Sequence, residues 1–262
     1  MSDWLVAIIL GIIEGITEFL PISSTGHLLL AEHWLPRQTE LFNVVIQSGA
    51  VLAAVPLFLP RFHQFIFRRS EPETRDYLLK IFAAFFITGL GGLVLEKKHV
   101  KLPETVQPIA IALLIGGILF LLVERCLRGK ELGNKITWTI AVAVGLGQLI
   151  AAIFPGASRS GTTILIALVL GLNRPAATEF SFLVGIPTML AAGGLKIFKS
   201  IHHHSASSPS ENWNMVILAT LVAAIVSFIT VKWLLRFVQS HNFAGFGWYR
   251  IVLGAAILIL LR

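Results

Sequence analysis

The sequence predicts an all-α integral membrane protein, on the evidence of its composition, its long apolar stretches and their lack of strand-like alternation. Of the 262 residues, 55% are hydrophobic and 13% are charged, and the mean hydropathy is +0.80. These values lie far from those of an average soluble domain. The apolar runs are rich in Leu, Ile, Ala, Val and Gly and lack the alternation of a transmembrane barrel strand. We therefore expect a single membrane domain of helices over residues 1–262.

Six stretches are apolar enough and long enough to be membrane-spanning helices. A helix needs about 20 residues to cross the hydrocarbon core of a bilayer, which is about 30 Å thick. The six stretches are 41–59, 76–95, 105–124, 177–197, 213–235 and 246–261. The prediction is therefore a bundle of about six transmembrane helices.

Two further apolar regions are interrupted near their middles by proline, glycine and hydroxyl residues. These regions are 4–35 and 138–172. In the first, one helix is predicted to end near Leu20 and the next to begin near Thr25; in the second, the break lies between Phe154 and Arg159. A helix of about 14 residues covers only about 21 Å, so each pair is predicted to enter the membrane, turn near the midplane and leave on the same side. Both regions are thus predicted to be re-entrant helical hairpins.

The two interrupted regions resemble one another. When Pro21 is aligned with Pro155, Glu14 falls on Gln148, Ser24 on Ser158 and, after one insertion, Gly26 on Gly161. Interrupted segments at corresponding positions of two halves indicate an internal repeat with a binding site between them. We predict an inverted-topology repeat of approximately 1–124 and 136–262, with the site between the hairpin tips.

Loop charge predicts the orientation. With both chain ends outside, thirteen basic residues face inward: Arg61, Arg68, Arg69, Arg75, Lys80, Arg125, Arg128, Lys130, Lys135, Arg174, Lys232, Arg236 and Arg250. Seven face outward: Arg37, Lys97, Lys98, Lys101, Lys196, Lys199 and Arg262. This bias agrees with the positive-inside rule, and it leaves Arg159 as the only basic residue expected deep in an apolar segment. The charges form no continuous basic groove, so nucleic acid is not an expected partner, whereas anionic membrane lipids are.

Two glutamates define the candidate site. Glu14 and Glu18 lie four residues apart, on one helix face, in an otherwise apolar stretch. An ionisable group at the centre of a membrane helix costs about 2.5 to 3.5 kcal/mol, so such carboxylates indicate a polar cavity. Arg159 requires an anionic partner for the same reason.

The helices that follow the two interruptions are predicted to bind phosphate. Their first turns would direct free backbone N–H groups and positive dipole ends toward the midplane, beside hydroxyls and a guanidinium group. The candidate phosphate-binding residues are Ser23, Thr25, Gly26, Ser158, Arg159, Ser160, Gly161 and Thr162. No G-x-x-x-x-G-K motif is present, so nucleotide hydrolysis is not expected.

Carboxylates beside a phosphate repel it unless a cation or a proton lies between them. Glu14 and Glu18 are therefore candidate ligands of a divalent cation, Mg²⁺ or Ca²⁺, bound against a diphosphate. Alternatively, one of the two glutamates acts as a base. His27 adds an imidazole that can carry a proton near neutral pH.

The segments Glu14-Gly-Ile-Thr-Glu-Phe-Leu-Pro-Ile-Ser-Ser-Thr-Gly-His27 and Pro155-Gly-Ala-Ser-Arg-Ser-Gly161 resemble the two signature segments of the undecaprenyl-diphosphate phosphatases, the bacitracin-resistance family. The resemblance extends over essentially the whole chain. It implies removal of one phosphate from undecaprenyl diphosphate at the outer face of the bacterial inner membrane, which recycles the lipid carrier of cell-wall synthesis.

The resemblance also implies roles for individual residues. Glu14 and Glu18 correspond to the acidic pair and His27 to the essential histidine. Ser24 and Thr25 correspond to the hydroxyl segment, and Ser158 with Arg159 to the phosphate-binding pair. The implied catalytic set is Glu14, Glu18, Ser24, His27 and Arg159.

Several alternatives stay open at this point. The nucleophile is Ser24, His27 or water. A transporter or flippase of an anionic lipid is the rival function, because inverted repeats with a midplane site are typical of secondary transporters. That rival needs only affinity, whereas this residue set also supplies a nucleophile and proton carriers. A homodimer is one assembly in which such a protein could act.

Overall fold

The computed structural model describes residues 2–98, 105–202 and 212–260, and these segments are built from helices. The helices are α1 (Asp3–Thr17), α2 (Ser24–Ala31), α3 (Glu40–Ala54), α4 (Leu59–Phe67), α5 (Pro72–Lys97), α6 (Val106–Cys126), α7 (Trp138–Ile153), α8 (Arg159–Val169), α9 (Arg174–His202), α10 (Trp213–Ser240) and α11 (Ala244–Leu260). Within the described residues, extended structure is limited to one isolated bridge between Gly133 and Leu172. The predicted all-α membrane fold is confirmed.

Five helical segments are long and apolar enough to cross a membrane. They are Glu40–Phe67, Pro72–Lys97, Val106–Cys126, Arg174–Ser200 and Trp213–Ser240. The sixth predicted span corresponds to α11, which is apolar but has only 17 residues and is shorter than the other five. The chain is thus a multi-pass membrane protein.

The first span, Glu40–Phe67, is longer than its apolar pattern predicts and is interrupted by a 3₁₀ segment. This segment, Val55–Phe58, connects α3 to α4 and carries Pro56 near its start. Proline has no backbone N–H and disrupts the hydrogen bonds of the preceding turn, which accounts for the local change from α to 3₁₀ geometry.

Both interrupted regions form pairs of short helices, as predicted. In the first pair, α1 ends at Thr17, three residues before the predicted end at Leu20. The reason is Pro21, whose ring conflicts with the carbonyl four residues earlier, which belongs to Thr17. In the second pair, the break between Ile153 and Arg159 lies where the sequence predicts it.

The two halves of the chain exchange helices. The hairpin helix α1 packs against α10 of the second half, whereas α7 packs against α5 of the first half. Correspondingly, α3 contacts α10 while α9 contacts α5, and α6 packs against α11. Such an exchange is the pattern that a two-fold axis between halves would produce. The inverted repeat and its boundaries stay a prediction with this packing in their favour.

Glycines allow the hairpin helices to approach their partners closely. A Cβ atom built on Gly11 would lie 2.6 Å from the carbonyl oxygen of Ala219, and one on Gly15 would lie 2.7 Å from that of Ala223. On the other hairpin, a Cβ on Gly145 would lie 2.9 Å from the carbonyl oxygen of Ala84. Small residues at such contacts are typical of helix association in membranes, where close van der Waals packing holds the helices together.

Ion pairs join the helices near both ends of the bundle. At the end predicted to be outer, Lys196 pairs with Glu40 and Lys199 with Glu96. At the opposite end, Arg174 binds Glu124 in α6. Two residues counted in the loop-charge prediction, Lys101 and Arg262, lie outside the described residues.

We predict that Gly11→Ala lowers the stability of the folded protein by about 1 to 3 kcal/mol, because the added methyl group forces α1 away from α10. Gly92→Ala is the matched control, since a Cβ on Gly92 in α5 meets no atom within 4 Å. Thermal unfolding in detergent measures both. An equal loss of stability in the two variants would contradict the proposed close packing.

Candidate active site

Each hairpin turns at a serine with an unusual backbone conformation. The φ angles of Ser23 and Ser158 are 71° and 68°, and these are the two non-glycine residues with positive φ in the described chain. Each serine caps the helix that follows it, because its Oγ accepts a hydrogen bond from the backbone N–H of Gly26 or Gly161. Such conformations cost on the order of 1 to 3 kcal/mol and concentrate at functional sites. Each of these serines lies three residues before the glycine that donates to it. The structure therefore corrects the sequence alignment, because the counterpart of Ser158 is Ser23 and not Ser24.

The tips of the two hairpins touch. The hydroxyl of Ser160, at the start of α8, donates a 3.1 Å hydrogen bond to the carbonyl oxygen of Leu20 in the first hairpin. The rings of Phe19 and Phe182 pack edge to face beside this contact, with centroids 4.9 Å apart. The predicted meeting of the tips is therefore observed.

A buried arginine holds both tips. Arg250 of α11 is fully buried, and its guanidinium lies within hydrogen-bond distance of carbonyl oxygens of Pro21 at 3.1 Å, Gly156 at 3.1 Å and Ala157 at 3.0 Å. Further contacts reach the carbonyls of Ala112 and Leu113 in α6. Carbonyls left free by a broken helix in a membrane must find donors, and this side chain supplies them.

The position of Arg250 corrects two expectations. The loop-charge count placed it on the inner surface, and Arg159 was expected to be the only basic residue deep in an apolar segment. Both expectations are wrong, because Arg250 lies inside the bundle. Its position within the predicted span 246–261 was the available signal, since a charge inside a span indicates a buried partner.

Glu18 lies at the centre of the polar contacts. Its Oε2 accepts hydrogen bonds from the Ser24 hydroxyl and from Nε2 of Gln47 in α3, each at 3.0 Å. Its Oε1 lies 3.6 Å from Nη2 of Arg159. The carboxylate thus connects the first hairpin, the first long helix and the second hairpin.

Arg159 is held in place without satisfying its hydrogen-bond donors. Its Nε, Nη1 and Nη2 are buried and have no hydrogen-bond partner among the described residues. The guanidinium lies over the ring of Phe19, with Cζ 5.8 Å from the centroid. A Cβ on Gly185 of α9 would overlap it, so any side chain there would displace the guanidinium from this position. A buried guanidinium with free donors is costly unless an anion binds it.

Glu14 lies beside Glu18 and leaves one acceptor free. Its side chain is buried, it interacts with the neighbouring carboxylate of Glu18, and its Oε2 has no hydrogen-bond partner. The described residues contain no cluster of three or more His, Cys, Asp or Glu side chains. Mg²⁺ commonly binds one or two carboxylates and takes its remaining ligands from water and substrate phosphates. The pair therefore fits a cation that binds together with a diphosphate.

His27 has other partners than the predicted nucleophile. Its Nδ1 is 2.7 Å from the carbonyl oxygen of Ser23, and its Nε2 is 2.7 Å from the hydroxyl of Tyr249 in α11. Because a carbonyl can only accept, Nδ1 carries the proton in this contact. The hydrogen bonds of the described residues connect His27 with neither glutamate nor with Ser24.

The remaining predicted phosphate-binding residues differ in their surroundings. Thr25 is exposed at the start of α2, where its hydroxyl is free to contact a ligand. The hydroxyls of Ser160 and Thr162 instead donate to the carbonyls of Leu20 and Ala157. Gly26 and Gly161 donate their N–H groups to the capping serines.

Sequence reasoning missed three contributors to this site. They are Tyr249, Arg250 and Gly185. Tyr249 lies 222 residues from His27, and its pattern in the sequence is that of an interfacial aromatic residue. Gly185 is one of 22 glycines, so its role follows from the neighbouring guanidinium alone.

Fold and site together define a polytopic membrane protein with two broken helical hairpins whose tips enclose acidic, hydroxyl and guanidinium groups. The sequence matches the family described as bacitracin resistance protein BacA over residues 7–256. The chain belongs to this family.

Curated relatives cover almost the entire chain. A protein of Rhizobium etli named undecaprenyl-diphosphatase is 49% identical over 257 residues, which are 98% of this chain and 96% of the relative. A protein of Xanthomonas oryzae pv. oryzae with the same name is 48% identical over 262 residues, which are 100% of this chain and 98% of the relative.

We predict that Arg250→Lys destabilises the protein by about 3 kcal/mol or more, because one ammonium group cannot reach carbonyls on three separate segments. Arg236→Lys is the control, since Arg236 is exposed on α10. Unfolding in detergent with increasing denaturant measures both variants. Wild-type stability of Arg250→Lys would show that the tips are held by other contacts.

Proposed function

We propose that this protein hydrolyses undecaprenyl diphosphate to undecaprenyl phosphate and inorganic phosphate. The activity named for the relatives that cover the whole chain supports this assignment. The observation that carries it is the buried guanidinium of Arg159, whose unpartnered donors lie next to the Ser24–Glu18 hydrogen bond. A terminal phosphate supplies the oxygens that this guanidinium lacks.

The hydrogen bond between Ser24 and Glu18 provides an activated nucleophile. In the proposed step, the Ser24 oxygen attacks the terminal phosphorus while its proton passes to the Glu18 carboxylate. The bond between that phosphorus and the bridging oxygen breaks, and undecaprenyl phosphate leaves. Water then attacks the phosphoserine, which releases inorganic phosphate and restores the hydroxyl. Direct attack by water, with Glu18 as the base, is the alternative.

The surrounding groups act on charge and position. Arg159 stabilises the charge on the equatorial oxygens of the transferred phosphoryl group, as fixed donors do in phosphoryl transfer. Gln47 orients Glu18 through its 3.0 Å hydrogen bond. His27, bonded to Ser23 and Tyr249, keeps the turn before Ser24 in place and can exchange a proton through its ring nitrogens.

Glu14 and Glu18 are the residues that would hold a divalent cation, Mg²⁺ or Ca²⁺. A cation held there would neutralise the repulsion between the carboxylates and the diphosphate and would polarise the phosphoryl oxygens. The free buried Oε2 of Glu14 supports this part of the proposal.

The proposed location is the bacterial inner membrane, with the site opening to the periplasm. Omitting Arg250 from the loop-charge count leaves twelve basic residues on the inner side against seven on the outer, so the bias persists. In this orientation the ends of the first hairpin face outward. A homodimer remains an expectation.

We expect purified wild-type protein to release phosphate from C55 diphosphate in the presence of Mg²⁺ and to lose this activity in EDTA. Arg159→Lys should lower kcat about 100-fold or more, since a point charge cannot replace the planar fork of donors. Arg69→Lys, at an exposed position, is the matched control. Near-normal turnover of Arg159→Lys would refute the role of Arg159, and absence of wild-type hydrolysis would refute the function.

Ser24→Ala distinguishes the two forms of the chemical step. If Ser24 attacks phosphorus, we expect the substitution to lower kcat at least about 10³-fold, and wild-type protein quenched during turnover should carry labelled phosphate on Ser24. Ser240→Ala, at an exposed site, controls for loss of a hydroxyl. Full activity of Ser24→Ala would leave water or His27 as the attacking group.

A further inference from the structure

An open cavity with a largely apolar lining lies at the opposite end of the bundle from the start of α1. It has a volume of about 870 Å³ and is formed where α6 ends and where α9 and α11 begin. The lining residues are Leu121, Leu122, Glu124, Arg125, Arg128, Arg174, Asn242, Ala244 and Trp248. None of these belongs to the site between the hairpin tips.

The cavity is positively charged. Three arginines and one glutamate line it, which leaves a net charge of +2. Glu124 already has partners within the protein, because it accepts hydrogen bonds from Arg174 and from the backbone N–H of Phe243. Arg125 and Arg128 are exposed and, within the described segments, neither pairs with a carboxylate. These two guanidinium groups are available to an anion.

The orientation of the helices adds to the positive electrostatic potential of the cavity. Both α9 and α11 begin at the cavity, so the positive ends of two helix dipoles face it. Asn242 caps the start of α11, because its side-chain oxygen accepts a hydrogen bond from the N–H of Ala244. The lining therefore combines the positive charges of arginine side chains with those of helix N-termini.

One wall of the cavity is apolar and faces lipid. Leu122 is 52% exposed and Trp248 is 61% exposed, and both lie on apolar helices whose exposed side chains are expected to contact acyl chains. Trp side chains are enriched at the membrane interface. A ligand with an anionic headgroup and acyl chains would contact both parts of this lining, whereas a small soluble anion would contact only the arginines.

We propose that this cavity binds the phosphate headgroup of an anionic phospholipid of the inner leaflet, with its acyl chains along Leu122 and Trp248. Basic cavities between transmembrane helices on the cytoplasmic side are typical sites for anionic headgroups. The loop-charge prediction places this end of the bundle on that side.

A lipid bound in the cavity would contact α11, the helix whose side chains hold the two hairpins. Trp248 directly precedes Tyr249 and Arg250, which bind His27 and the hairpin carbonyls. A lipid bound between α6, α9 and α11 would therefore stabilise the helix that joins the two tips.

The test is the binding of phosphatidylglycerol to the full-length protein in detergent, with bound lipids counted by native mass spectrometry. The double variant Arg125→Gln/Arg128→Gln should weaken this binding about 30-fold, since each arginine near the membrane surface contributes a similar increment. The control is Arg69→Gln/Arg75→Gln, which removes two exposed arginines on the same predicted side of the protein. It should leave the affinity within about twofold.

Two further arms identify the ligand. Phosphatidylcholine with the same acyl chains should bind at least about tenfold more weakly than phosphatidylglycerol, and inorganic phosphate should not displace the lipid at equal concentration. Equal losses in the two double variants, or equal binding of the two lipids, would overturn the proposal. Displacement by inorganic phosphate would also overturn it and would assign the cavity to a soluble anion.

Discussion

The rest of this structure depends on how the backbone carbonyls at the two helix breaks obtain hydrogen-bond donors. Breaking α1 from α2 and α7 from α8 frees backbone carbonyls in the buried interior of the helical bundle, where they must find donors within the protein. Arg250 meets this demand from a third element, with contacts to Pro21 in one tip and to Gly156 and Ala157 in the other. One side chain thereby holds together two loops that are more than a hundred residues apart in the sequence, and the site between them depends on it.

Charge then determines what the site can do. Glu14, Glu18 and Arg159 are buried at the tips, yet only Glu18 has its hydrogen-bonding capacity largely satisfied. The free donors of Arg159 and the free acceptor of Glu14 are costly for the fold when no ligand binds them, because unpaired buried polar groups are destabilising. In the proposed function, an anion would satisfy the arginine and a cation the glutamate, and a metal-bound diphosphate would supply both.

Much of this could be predicted from the sequence because hydropathy reports burial in lipid directly. The spans, the two interruptions and the meeting of the tips followed from apolar length and from Pro21 and Pro155. Contacts between site residues of one segment, such as that of Ser24 with Glu18, can also be predicted, because the turn at the interruption brings residues close in sequence together. The prediction for Arg250 was wrong because the positive-inside rule considers only charges near the ends of spans. It does not take account of buried carbonyls that need a hydrogen-bond donor. The hydrogen bond between His27 and Tyr249 could not be predicted from the sequence, because it depends on how α11 packs against the first hairpin.

The exchange of helices between the two halves has a consequence for how this protein could have arisen. The glycines of α1 pack against backbone carbonyls of α10, and Gly145 of α7 packs against α5. A polypeptide consisting of one half would lack the surface on which its own hairpin rests. Two copies of such a half, inserted into the bilayer in opposite directions, would each supply the surface against which the hairpin of the other packs. If the two halves are related by the predicted inverted repeat, the chain combines within one molecule the geometry of an antiparallel pair of subunits.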